Sequence, residues 1–250
     1  MKINRARYYI SLYAWFSSLL LLFVSQEVFA QYLKIDLHDK TSLQRGARSF
    51  MNYCSGCHSL KYLRYNRMAE GLGLFVNGHL DEDLLKNNLI FTQAAINDPI
   101  RIALPPEDAR QWFGVIPNDL SLIARSKGID WLYAYLQGFY EDNSRPFGTN
   151  NLLVPGVAMP NILGPLIGEK VLILQSKEQA GHLLMVSKGE LSPQEMDRFL
   201  QDLVTFLAYV AEPTKIERQQ IGPPVMSLLL ILGLVMLCLK RIYWRKIPKL

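Results

Sequence analysis

"NYCSGCHSLKYLRY", residues 52–65, holds two of the three cysteines in this chain and sets a histidine directly after the second. A disulfide between Cys54 and Cys57 would leave His58 without a task. A structural zinc site takes four ligands, and His38, His79 and His182 show no paired spacing to complete one. A thioredoxin-like redox pair is a further reading, yet no strand-to-helix pattern leads into the motif and the histidine again stands idle. The C-x-x-C-H reading uses all three residues: two thiols add across the vinyl groups of a haem, and the adjacent imidazole ligates the iron from the same turn. Upstream, Leu43, Ala47, Phe50 or Met51 and Cys54 recur at helical spacing, which predicts an amphipathic helix that delivers the motif to a core.

The ends of the chain set its compartment. Residues 1–30 read as a signal peptide: Lys2, Arg5 and Arg7 precede an apolar run at 13–24, and Ala30 stands at a plausible cleavage point. From 219 to 239 no residue carries a charge, and about 31 Å of helix matches a hydrocarbon layer of about 30 Å. Pro223 and Pro224 are expected at the entrance of that helix, where backbone amides lack partners anyway. Lys240, Arg241, Arg245, Lys246 and Lys249 follow without an acid, so the positive-inside bias sets residues 240–250 in the cytoplasm and the body outside. Cys238 lies at the cytoplasmic end of the span. Between the signal and the anchor, residues 31–222 carry 19 basic and 21 acidic side chains. The overall charge of +5 therefore reports targeting and topology, and no nucleic-acid partner is indicated.

An electron carrier usually fills the sixth position on its iron, and methionine there raises the potential relative to a second histidine. Met51 and Met68 lie too near the attachment motif, Met226 and Met236 fall in the anchor, and Met196 belongs to an apolar helix face. Met159, in "LLVPGVAMPNILGP", is held between Pro155-Gly156 and Pro160 in a stretch that cannot continue as helix, which suits a ligand loop. Met185, in "HLLMV", reads as part of a strand that pairs with "KVLIL" at 170–174. Met159 is the favoured ligand, with His182 as a further candidate. Near the C-terminus of the body, Ser192-Pro193-Gln194-Glu195 is a capping-box start. Met196, Phe199, Leu200, Leu203, Phe206, Leu207 and Val210 then form one apolar face, predicting a helix that packs across the haem-bearing one.

Four stretches in this order, "CSGCHSLKYLRY", "NDLSLIARSKGIDWLYAYLQGFY", "PGVAMPN" and "FLAYVAEPTKIERQQIG", resemble the cytochrome c1 family over most of residues 31–250. The resemblance implies a mainly α-helical, enlarged c-type cytochrome domain at 31–218, with one transmembrane helix at 219–239 and a single covalent haem c. His58 and Met159 would be the axial ligands and Arg125 would contact a haem propionate, where a guanidinium can pair with a carboxylate through two bonds. Tyr133 and Tyr135 would edge the haem pocket or belong to the core. The family implies electron transfer without acid–base catalysis by this chain. The donor would be a Rieske iron-sulfur subunit, the acceptor a soluble cytochrome c, and the neighbour in the bilayer a cytochrome b subunit of a quinol:cytochrome c oxidoreductase in a bacterial inner membrane. An anchored cytochrome shuttle and a periplasmic thiol-disulfide oxidoreductase are the alternatives.

Two departures from the family pattern stand out. Pro117-Asn118 replaces the usual double proline before "DLS", and Tyr209 stands where mitochondrial members tend to have tryptophan. Long acidic insertions are missing. "LDEDL" at 80–84 and Glu141-Asp142 are the dense acidic clusters, and helix capping explains each as well as docking does.

Overall fold

The structure is a computed structural model and describes residues 33–173 and 182–244. The signal sequence expected at 1–30, Leu174 of the expected strand, and Arg245, Lys246 and Lys249 of the basic tail lie outside those residues.

Asp39, whose carboxylate accepts from the amides of Thr41 and Ser42 at 2.9 and 3.1 Å, starts helix α1 (Lys40–Tyr53). Satisfying amides that have no intrahelical partner is what an N-cap does. Leu43, Ala47, Phe50 and Met51 form the buried face of α1, as their spacing predicts. Strand β1 (Leu60–Arg64), helix α2 (Tyr65–Leu72), the ribbon β2 (Phe75–Val76) and β3 (His79–Leu80), and helix α3 (Glu82–Asn88) follow. Next come β4 (Pro99–Ile100), α4 (Pro106–Phe113), α5 (Ile123–Lys127), α6 (Ile129–Gln137), β5 (Phe139–Glu141) and β6 (Thr149–Asn151). The body closes with α7 (Gly164–Ile167), the hairpin β7 (Glu169–Ile173) and β8 (His182–Ser187), and α8 (Pro193–Ala211); α9 (Lys215–Trp244) leaves it.

Helices account for about half of the described residues, and the strands form four antiparallel ribbons: β1 with β4, β2 with β3, β5 with β6, and β7 with β8. The fold is thus mainly α, as expected. The expected hairpin is present, with Lys170 opposite Met185 and Val171 opposite Leu184.

The core is built where α8 crosses α1. Ser192 and Glu195 complete the capping box at the start of α8, and Leu200, Leu203, Val204, Phe206 and Leu207 are buried along it. The Phe50 and Phe206 rings meet at 5.8 Å. At the crossing a Cβ on Gly46 would overlap the Asp202 carbonyl oxygen, so glycine is what lets the two backbones approach. Asp202 itself lies on this buried face. Its carboxylate takes Ser42 Oγ at 2.6 Å and the Arg45 guanidinium through Nε at 2.5 Å and Nη2 at 2.9 Å, which compensates the cost of burying a charge.

Helix α9 departs from expectation in its start. It forms at Lys215, so Pro223 and Pro224 lie two turns inside and not at its entrance. The turn from Glu212 to Arg218 already makes helical bonds, with the Lys215 amide on Glu212 and the Arg218 amide on Thr214. The prolines therefore leave the carbonyls of Gln219 and Gln220 without helical donors. Among the described residues α9 is the one helix long and apolar enough to cross a membrane, and none of its residues is buried.

Candidate haem-attachment site

Cys54 terminates α1. Its amide and that of Ser55 both donate to the Phe50 carbonyl, at 2.8 and 3.0 Å, and the next turn is closed by the amides of Cys57 and His58 on the Cys54 carbonyl at 3.1 and 2.8 Å. Two thiols and an imidazole are thereby gathered on one turn against the core. Both thiols are free. Burial pushes the Cys54 thiol up to about 12, with the neighbouring Cys57 adding to it, and burial also raises Cys57. A disulfide-exchange pair depends on a lowered thiol pKa, so this environment is the reverse of what that chemistry uses.

His58 Nδ1–H donates to the Asn118 carbonyl at 2.7 Å; because a carbonyl can only accept, the proton belongs on Nδ1. Among the described residues Nε2 has no hydrogen-bond partner, and a carbonyl bonded to the other ring nitrogen fixes the tautomer and plane of a ligating imidazole. Burial lowers the His58 pKa, opposed by the Asn118 hydrogen bond and by Asp119, which favours the neutral ring that a metal requires.

The strap that carries Asn118 is stitched to the motif by bonds that sequence reading missed. Asp119 accepts from the Lys61 amide at 2.8 Å and the Ser121 amide at 3.0 Å. The buried Ser121 hydroxyl accepts from the Tyr62 amide at 3.1 Å, and the Leu120 amide donates to the Ser59 carbonyl at 2.9 Å. The Asp-x-Ser pattern at 119–121 was the available signal, as a side chain that bonds its own backbone two residues on. Only the backbone carbonyl of Asn118 serves His58. A proline at that place supplies the same carbonyl, so the departure from the double-proline pattern leaves the contact intact.

Met159 is half-buried, and its sulfur accepts from the Tyr135 hydroxyl at 3.5 Å. Tyr135 stacks on Trp131 at 5.0 Å and meets Phe139 edge-on at 5.3 Å, and burial lifts its hydroxyl to about 12, so it remains a donor. Two asparagines that sequence reading passed over frame the loop. Asn151, fully buried, accepts from the amides of Leu153 and Val154 and donates to the Tyr135 carbonyl at 2.8 Å. Asn150 accepts from the Gly156 amide at 2.8 Å, and Arg145 donates to the Gly156 carbonyl at 2.6 Å.

The other candidates separate. Tyr133 bonds Asp197 on α8, which accounts for it as a link between helices. Arg125 lies exposed on α5 and forms no salt bridge among the described residues. Met185 and His182 are exposed on β8. No group of three or more His, Cys, Asp or Glu among the described residues could hold a metal ion.

These residues fit a haem. Free thiols in C-x-x-C spacing, an imidazole with Nε2 unengaged and a half-buried thioether are its donor set. The strap and the ligand loop also carry exposed apolar side chains, Val115, Ile116 and Leu122 on one and Leu152 and Leu153 on the other. Two residues past Met159, the buried Asn161 Oδ1 has no protein partner.

The model of the "Cytochrome C1 family" matches residues 29–247. The chain belongs to the cytochrome c1 family. A cytochrome c1 of Allochromatium vinosum is 44% identical over 219 residues, covering 85% of this chain and 87% of that one. A protein of Nitrosomonas europaea named "Ammonia monooxygenase gamma subunit" is 41% identical over 223 residues, covering 89% and 90%. The cytochrome c1 of Blastochloris viridis is 27% identical over 250 residues, covering 85% and 83%. Cytochrome c1 proteins carry one covalently bound haem c and serve electron transport in respiratory oxidoreductases, and the cysteine pair of this chain stands in the attachment spacing of the family.

Proposed function

We propose that Cys54 and Cys57 hold the haem c through thioethers, that His58 Nε2 and Met159 Sδ are the axial ligands, and that Arg125 faces a propionate. The bound haem supplies a reversible one-electron couple. Around it the chain's own residues do the rest: Asn118 orients His58, Tyr135 donates to the Met159 sulfur, and the loop bonds of Asn150 and Asn151 hold the thioether in place. The observation that carries this reading is His58, fixed through Nδ1, with two free thiols on the same turn.

In this reading residues 1–30 are removed on export, 31–218 form a periplasmic haem domain, 219–239 span a bacterial inner membrane, and 240–250 lie in the cytoplasm. Electrons arrive from a Rieske iron-sulfur subunit and leave to a soluble cytochrome c. Quinol chemistry belongs to a cytochrome b subunit, and this chain contributes no acid–base residue. The raised thiols of Cys54 and Cys57 weigh against the oxidoreductase alternative.

Denaturing electrophoresis with haem staining tests the attachment: colour stays on the wild-type chain and on Cys238→Ala and is lost from Cys54→Ala or Cys57→Ala. A wild-type band without haem overturns the reading. Co-purification of b-type haem and an iron-sulfur protein supports the quinol oxidoreductase. Isolation of the chain alone supports the shuttle, and isolation with an ammonia-oxidising assembly would favour the partner named by the Nitrosomonas relative.

A further inference from the structure

Among the described residues two ion pairs join the body to its anchor. Arg67, on α2, donates through Nη2 to Glu217 in the first turn of α9 at 2.8 Å and through Nη1 to Glu70 on its own helix at 3.0 Å. The Arg67 backbone is itself held, because the Tyr209 hydroxyl of α8 donates to its carbonyl at 3.1 Å. One turn on, the Tyr209 ring lies so close to Gly71 that a Cβ there would overlap it. Across the joint, Arg218 of α9 pairs with Glu212 at the end of α8 at 2.5 Å, and the backbone from Tyr209 to Arg218 runs through turn and helix bonds without a free stretch. Glu217 is thus gripped from α2 while its own turn is tied to α8.

Below this joint the geometry changes. Helix α9 is 30 residues long, about 45 Å, so about ten of its residues exceed the hydrocarbon layer of about 30 Å. The charged turn with Lys215, Glu217 and Arg218 is on the body side of the uncharged segment, and Pro223 and Pro224 follow with two helical bonds missing. The prolines fall inside a helix that continues through them, so the joint above them is where the body turns against α9, and the ion pairs close it.

Resting on the haem-domain reading above, we infer that Arg67 is a positioning residue: its bond to Glu217 fixes the tilt and rotation of the haem-bearing body relative to the membrane helix. A surface ion pair taken alone contributes little to stability. Here its effect is directional, since Glu217 sits at the pivot and a small change of angle there displaces the whole body.

The test uses the full-length holo chain in oriented bilayers and reads the angle dependence of haem absorbance in polarised light. Wild type shows a defined haem tilt. Glu217→Gln and Arg67→Gln each show weaker angle dependence while keeping the haem spectrum, and the double variant loses no more than either alone, as expected when both act through one contact. Glu70→Gln, which leaves the Arg67–Glu217 bond, keeps the wild-type dichroism. Unchanged dichroism in Glu217→Gln with an intact haem spectrum overturns the positioning role alone. A wild-type chain without haem absorbance overturns the haem reading and this role with it.

Discussion

The Tyr135 hydroxyl donates to the Met159 sulfur at 3.5 Å, joining the aromatic stack of α6 to the proline-framed loop. A donor on a thioether draws electron density from the sulfur and makes it a weaker ligand for oxidised iron. Met159→Leu keeps volume and apolarity but removes the sulfur, so the fold should survive while the sulfur-to-iron charge-transfer band disappears and the potential falls. Tyr135→Phe should keep the band and lower the potential by roughly 40 mV, the one-electron equivalent of about 1 kcal/mol for one hydrogen bond. Met185→Leu, on an exposed strand, should change neither. Absorbance of the oxidised protein and redox titration check all three, and loss of the band in Met185→Leu alone would sink the assignment of Met159.

Asn118 and Asp119 predict opposite outcomes for neighbouring substitutions. Because Asn118 gives His58 only a backbone carbonyl, Asn118→Pro should retain haem content and axial ligation. Asp119→Ala strands the amides of Lys61 and Ser121 and should cost about 1–3 kcal/mol. The strap then loosens around His58. Haem yield and thermal unfolding of the holo protein measure both, and a damaged Asn118→Pro beside an undisturbed Asp119→Ala would contradict the role given to the strap.

Gly46→Ala should be among the more damaging single-methyl changes in the body. The atom that the new Cβ meets is the backbone oxygen of Asp202, which cannot swing aside as a side chain can. Overpacking of this kind costs about 1–3 kcal/mol. Denaturant unfolding of the holo chain would show a lower midpoint, and an unchanged midpoint would mean that α1 and α8 separate without penalty.

The capping box predicts a dependence on pH. Hydrogen bonds from the Ser192 hydroxyl and backbone hold the Glu195 carboxyl below its usual range. A depressed folded pKa stabilises the fold above the unfolded value, and that contribution is lost as pH falls through the folded value. Glu195→Gln keeps a hydrogen-bonding side chain at this position without the titration. Stability of the wild type should therefore fall relative to that of Glu195→Gln as the pH drops through the acid range, and parallel acid profiles would refute the contribution.

What the sequence determined by itself was whatever sits within a few residues. Cys54, Cys57 and His58 share one turn, so their spacing is their geometry. The box of Ser192 and Glu195 spans one turn, and the apolar faces of α1 and α8 follow a fixed period. Tertiary structure decided the rest. The partner of His58 is a backbone carbonyl 60 residues away, and every residue type carries a carbonyl, so no letter in the sequence marks Asn118 for the task. Asp202 is a charged residue on the buried side of α8, and its partners Ser42 and Arg45 reach it only through folding. The start of α9 was misplaced by reading the prolines locally. Their cost to the helix is set by two missing bonds, whereas the turn ahead of them is held by contacts from α2 and α8 that exist only once the body has folded.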